Sequence, residues 1–392
     1  MVFAYYKTMN TKAFFVLMYV TIITIGAIYV PQPLLPEISK YFGQSMNTVS
    51  LIISVALLPL AIVPIVYGYV LSFLTPKKLI LVSLIVLILI NFFISISQNI
   101  YWIIVLRLIE GFLISAVLTS NMTYISLSVE SDKVSLYMSY YIATTIIGGF
   151  SGRLISGIVA YILSWRYSFY FVTLSFAVGA LMVFYFIEDT KSVGINKESG
   201  SLFKNYLSVV KNKLYFFVYL AVFCMFFVFA ALTNFLPFRI ESVDKNSSQI
   251  VIALAYSGYL MGIFVSFFAT KFIKIFGNQI KTMMFGFLVY MGSILILNIP
   301  DVYIIFGGMF IFCGGMFLIH SIASGFLNKL AKEKKGIING IYIASYYSGG
   351  VIGSYAPGFV YKQYGWHIFS AVLIFLLLIG LGSIFQFRKQ VY

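Results

Sequence analysis

Runs of about twenty mainly apolar residues recur along nearly the whole chain, which is the length an α-helix needs to cross the hydrocarbon of a bilayer. Lipid offers no hydrogen bonds, so each run must satisfy its backbone internally, and a helix does so. Six such runs cover 13–36, 48–73, 79–97, 101–128, 134–163 and 167–187, and six more cover 213–238, 249–275, 280–298, 302–327, 335–361 and 366–386. We number them spans 1 to 12. Of the 392 residues 61% are hydrophobic and 9% charged, whereas a soluble surface needs about 25% charged residues to stay wetted. Lipid must therefore solvate most of the outside. No small-residue cleavage site follows the first run, so it reads as a span rather than a removed signal.

The connecting segments set an orientation. Residues 188–212 are polar and join the two groups of six, which predicts an N-terminal bundle at 1–187, a cytoplasmic linker at 188–212 and a C-terminal bundle at 213–392. With the termini and alternate loops on one side, nineteen of the 26 Lys and Arg residues fall there, while Lys40, Arg166, Arg239, Lys245 and Lys362 fall opposite. Basic loops are retained in the cytoplasm, so both termini are expected inside a multi-pass protein of the inner (cytoplasmic) membrane. The net charge of +15 is thereby explained without nucleic acid, because no basic stripe or soluble basic module is present.

A shift of 201 residues superposes unusual positions without gaps. Lys12 falls on Lys213, Leu35-Pro36 on Leu236-Pro237, and Tyr141-Ile142-Ala143 on Tyr342-Ile343-Ala344. Gly148, Gly149, Gly152 and Gly157 fall on Gly349, Gly350, Gly353 and Gly358, and Trp165 on Trp366. Two six-span halves of the same orientation are related by an axis along the membrane normal, an arrangement that places a central cavity between halves that rock.

With these features the chain resembles the major facilitator superfamily, in particular its bacterial drug- and sugar-efflux-type permeases. Gly148-x-x-x-Gly152-Arg153-x-x-x-Gly157 followed by Ser164-Trp165-Arg166 is similar to the glycine-rich fifth-span motif associated with antiporters, with Arg153 in place of its Pro. The stretch from Gly68 to Lys77 and Lys78 resembles the gating loop between spans 2 and 3, with Ser72 in place of Asp and Thr75 in place of the second Gly. Arg107-x-x-x-Gly111 resembles a fourth-span motif associated with proton coupling. The resemblance implies an all-α membrane protein of twelve transmembrane helices in two pseudo-symmetric six-helix bundles, working as a monomer. It also implies that spans 5 and 8, and 2 and 11, pack across the halves, and that spans 1, 4, 7 and 10 line the cavity.

Ionisable groups inside the spans are few, and such groups usually face a cavity or a partner. Glu110 and Arg153 both lie roughly 14 Å from the same membrane face, from the rise per residue, and Arg107 shares a helix face with Glu110. One expectation is that Glu110 carries the coupling proton while Arg107 and Arg153 tune it. The other is a permanent salt bridge. Candidates for the cavity wall are Tyr29, Gln32, Asn121, Tyr124, Tyr140, Tyr141, Asn234, Tyr346 and Tyr347, together with His320, which reads either as a proton relay or as a packed residue. Gly148, Gly152 and Gly157 in span 5 and Gly258 and Gly262 in span 8 are read as facing ladders that permit close, sliding approach. Gly349, Gly353 and Gly358 do the same for span 11.

These residues predict a secondary active transporter of a small solute, proton-coupled and directed outward. Phosphate-loop spacing G-x-x-x-x-G-K-[ST] is missing, so the chain itself hydrolyses no ATP. Cys224, Cys313, His320, His367 and one buried carboxylate form neither a catalytic cluster nor a metal set, so no catalytic residue, metal or cofactor is expected. The expected partners are a small-molecule substrate, the lipid bilayer and H⁺. A non-transporting sensor or assembly factor is the alternative, and an intramembrane enzyme a more distant one.

Overall fold

The computed structural model describes residues 10–130, 133–190, 208–330 and 335–391, and among them every regular element is a helix. Residues 191–207 of the expected linker lie outside this range. Span 1 is the helix Thr11–Tyr29, continued by the 3-10 turn Gln32–Leu34 and the short helix Leu35–Phe42. Pro31 and Pro33 sit at that joint, where a fixed φ and a missing N–H interrupt the i to i−4 ladder. Gly43, at φ 60°, ends the run in a conformation that costs glycine little.

Span 2 is broken into Met46–Ile62 and Pro64–Val70. Spans 3 to 6 are Pro76–Ile96, Ile100–Ser128, Val134–Ile162 and Trp165–Phe186. Span 7 is Lys213–Val243, and span 8 runs through Gln249–Leu254, the 3-10 turn Ala255–Gly258 and Tyr259–Phe276. Spans 9 and 10 are Gln279–Ile296 and Val302–Leu330. Side-chain oxygens cap the exposed N–H groups at several starts: Ser45, Thr75, Asn99, Asn212 and Asn278 each accept from a first-turn amide.

Two boundaries differ from expectation. Span 11 ends at Gly353 rather than 361, and Pro357–Val391 continues through Gly365, at φ 78°, into span 12. Pro357 restarts the helix and Gly365 bends it. Among the described residues ten helical segments are long and apolar enough to cross a membrane, without span 2 or span 11. Span 2 is shortened by its proline break. Span 11 carries Asn339, Tyr342, Ser345, Tyr346, Tyr347 and Ser348 along its length.

Buried apolar side chains gather in two large cores, one drawn from Ala13 to Ile187 and the other from Val209 to Phe387. Across them, span 5 packs on the start of span 8, and span 2 on span 11. The glycines, however, do not face each other across the halves. Gly148 and Gly152 lie against the backbone of Ile22 and Gly26 in span 1. Gly258 lies against Met309 and Gly262 against Phe317, both in span 10, while Gly349 and Gly353 lie against Phe223 and Phe227 in span 7. The expected ladder between spans 5 and 8 is therefore corrected: a four-residue stripe faces one neighbour, and for each stripe that neighbour is in the same core. Gly157 reaches the backbone of the other half at Gln249, beside Ala253, and Gly358 meets Phe235 of its own half and Asn47 of the other.

Candidate functional site

A cavity of about 550 Å³ lies between the two cores. Its wall is built from Ile25 and Tyr29 of span 1, Ser139, Ile142, Ala143, Thr145 and Ile146 of span 5, Phe226 and Phe229 of span 7, Tyr259, Ile263, Ser266 and Phe267 of span 8, Phe317, His320, Ser321 and Gly325 of span 10, and Tyr346 and Tyr347 of span 11. Span 5 enters near residue 134 and span 10 ends near 330, so the space lies towards the side of the chain that carries the linker and termini. Aromatic rings dominate it. Phe226 stacks on Tyr346 at 3.6 Å between centroids, and Tyr259 meets Phe229 and Phe317 edge-on at 5.5 and 5.7 Å. A comparable space near Phe93, Gln98 and Trp102 belongs to one half only and cannot serve both.

Four of the expected wall residues are there: Tyr29, His320, Tyr346 and Tyr347. His320 Nδ1 shares a hydrogen bond with the Tyr342 hydroxyl at 2.9 Å. The remaining six lie elsewhere. Asn121 donates to Leu17 O and Thr21 inside the first core, Tyr124 is buried, and Tyr141 is buried with its hydroxyl on Leu118 O. Tyr140 faces outward and packs edge-on against Phe14 and Tyr137. Gln32 and Asn234 are buried beyond the cavity floor. Sequence reasoning missed Phe226, Phe229, Tyr259 and Phe317. For Phe226, Phe229 and Phe317 the signal, aromatic rings on spans 7 and 10, is diluted by 40 Phe and 30 Tyr; Tyr259 lies on span 8, outside the spans expected to line the cavity.

The three expected coupling residues separate. Arg107 and Glu110 are wholly buried and pair at 2.7 Å. Arg107 also donates to Ile52 O of span 2 and to Ala27 O and Ile28 O of span 1, and Glu110 accepts from Asn91 of span 3. This cluster therefore ties four helices, and none of its members is on the cavity wall. Arg153 is not among Glu110's partners, which corrects the expected trio: equal depth on two helices does not place two side chains at one azimuth.

Arg153 instead sits directly behind the cavity's aromatic floor. Its guanidinium lies 3.9 Å from the ring centre of Tyr29, 4.6 Å from Tyr259 and 5.0 Å from Tyr256. Nε donates to Gln32 Oε1 at 2.5 Å and Nη1 to Gly149 O, while Nη2 is buried without a partner. Among the described residues no carboxylate pairs with it; the ion pairs are Arg107–Glu110, Lys40–Glu241 and Lys133–Glu130.

Beyond Arg153 the halves are stitched together. Gln32 Nε2 donates to Thr233 Oγ1 and Asn234 Oδ1, both at 3.4 Å, and Asn234 is itself held to Ser354 O of its own half at 2.7 Å. The Ser54 and Ser354 hydroxyls meet at 2.7 Å and Lys40 pairs with Glu241, while Tyr256 donates to Thr233 O within the second half. Gln32 and Thr233 are 201 residues apart, as are Lys40 and Glu241, so equivalent positions of the two halves touch. The pseudo-twofold axis runs between them, and the molecule is closed there and hollow towards the termini.

The Major Facilitator Superfamily model matches residues 17–354. This chain belongs to the major facilitator superfamily. Among similar proteins is an uncharacterized transporter of Buchnera aphidicola (subspecies Schizaphis graminum), 27% identical over 363 residues, covering 92% of this chain and 88% of the relative. Another is the inner membrane transport protein YnfM of Escherichia coli, 27% identical over 359 residues, covering 91% of this chain and 86% of the relative. The fold is similar to that of the nucleoside transporter NupG, with TM-score 0.75, 13% identity and coverage of 95% of this chain and 99% of that one. It is likewise similar to a bacterial homolog of the human lysosomal transporter Spinster in an inward-facing, occupied conformation, with TM-score 0.76, 12% identity and 96% coverage of each. In this facilitator the segment resembling the gating loop places Gly68 on the helix Pro64–Val70. Lys77 donates to Phe184 O and Thr75 to Asp189, and Lys78 supplies the amide capped by Thr75. The loop thus ties spans 2 and 3 to the end of span 6.

Proposed function

We propose that this facilitator is a secondary active transporter that carries a small, largely apolar solute through the cavity between its halves by alternating access. The observation that carries the reading is the pairing of a hollow on one side with a polar latch across the pseudo-axis on the other. Rocking about that axis exchanges the two, and no part of the cavity wall need be rebuilt. By the charge distribution of its loops the termini are cytoplasmic, so the hollow faces the cytoplasm. A cysteine at Lys245, in a chain whose two native cysteines are buried, should react with an impermeant maleimide added to intact cells; protection would reverse the orientation.

Proton coupling and outward transport are part of the proposal through the resemblance of the span-4 and span-5 motifs. A monomer in the lipid bilayer suffices, because one chain supplies both halves. The reading is tested by flux in reconstituted vesicles under an imposed pH gradient, screening amphipathic solutes. Gradient-driven flux above that of protein-free vesicles is expected. Solute binding without flux would instead identify a sensor on a transporter fold.

A further inference from the structure

We infer that Arg153 is the anchor for an oxyanion on the solute, so that the cavity takes aromatic or alicyclic acids in preference to their neutral counterparts. This rests on reading the central cavity as the cargo site. A guanidinium carries five N–H donors in a planar fork suited to carboxylate and phosphate. Arg153 commits Nε to Gln32 and Nη1 to Gly149 O, and leaves Nη2 buried and unpartnered. A full charge withdrawn from water without a counter-ion is costly, and its own protein ordinarily supplies the partner. Arg107 shows that solution within the same chain, through Glu110.

Apart from those two neutral acceptors, what the described residues set around Arg153 is ring faces, from Tyr29, Tyr256 and Tyr259. These offset part of the desolvation and neutralise none of the charge. Tyr29 and Tyr259 are at the same time cavity wall, so the guanidinium is one ring's thickness from the space. Among the described residues no hydrogen bond holds the Tyr29 hydroxyl, so its ring is free to turn aside and let an oxyanion reach Nη2. Phe226, Phe229, Phe317 and Tyr346 then receive the apolar body of the solute. The repeat isolates this feature: Arg153 corresponds to Ser354 in the second half, so the charge is a departure from the duplicated pattern rather than part of it.

The experiment measures binding of 2-naphthoate, 2-naphthyl phosphate and 2-naphthamide to the full chain in lipid nanodiscs. At least one of the two anions should bind more tightly than the amide by about tenfold or more, as expected for hydrogen bonds to a charged group. The stronger of the two tells a carboxylate site from a phosphate site. Arg153→Gln, which keeps a donor for Gln32 without the charge, should abolish the preference, and Arg153→Lys should retain part of it. Gln32→Leu releases Nε and should tighten anion binding, whereas a purely structural Arg153 predicts no gain; this variant serves also if Arg153→Gln does not fold. Equal binding of amide and anions, no binding of any of the three, or a preference that survives Arg153→Gln overturns the inference. Anion binding without flux of 2-naphthoate in vesicles leaves the anchor standing and removes the transporter reading. Flux of solutes without anion preference does the reverse.

Discussion

Arg107 and Arg153 are both wholly buried, and their surroundings differ in kind. Arg107 has a carboxylate and three main-chain carbonyls, a set that satisfies its charge and clips spans 1, 2 and 4 together. Arg107→Ala strands Glu110 and should cost about 3–5 kcal/mol, the usual penalty for removing one partner of a buried pair, read as a marked loss of thermal stability in the purified protein. Glu110→Gln keeps an acceptor in place, and with a structural pair the dependence of flux on the pH gradient should be unchanged. Loss of that dependence would assign Glu110 the proton instead. Spacing alone made the Arg107–Glu110 pair legible, because residues three apart share a helix face. The surroundings of Arg153 were not legible: counting along a helix gives depth, while the direction in which a side chain points depends on how its helix is rotated against its neighbours.

Between helices, close approach is set by missing side chains. Gly152 meets the backbone of Gly26, and at the equivalent place Gly353 meets that of Phe227. A β-carbon at either position would run into main chain, which cannot move aside as a flexible side chain can. Gly152→Val and Gly353→Val should therefore each destabilise by about 1–3 kcal/mol, the usual cost of overpacking, measured as lowered melting temperature. Gly307, with open space around it, should accept Ala with no loss. Equal tolerance at all three positions would deny the packing role. The glycine spacing was visible in the sequence as two matched sets, and their partner was not. A stripe four residues apart says that something lies close, and in this fold that is the first span of the same half. The break in span 2 and the early end of span 11 follow from Pro59, Pro64 and Pro357, residues whose effect on a helix depends on whether neighbouring helices re-satisfy the backbone groups they free.

At the scale of the whole molecule, the proposed alternating access requires the latch to open. The Ser54 and Ser354 hydroxyls touch, so Ser54→Cys combined with Ser354→Cys places two thiols within reach of one another. Oxidation should join them, hold the latch shut and abolish flux, and a reductant should restore it. Continued flux in the cross-linked protein would mean that the halves do not part there. Twelve spans, the duplication and the pairing of halves were readable because apolar runs and a constant 201-residue offset survive divergence. The latch was not readable, since it joins residues from opposite halves whose meeting only the docked structure reveals.

Because Lys40 and Glu241 occupy equivalent positions and meet at the axis, as do Gln32 and Thr233, any two-copy assembly of the first bundle would bring one ammonium against another at that seam. A tandem of second bundles would oppose two carboxylates instead. The halves have thus become lock and key, and neither can stand in for its sibling.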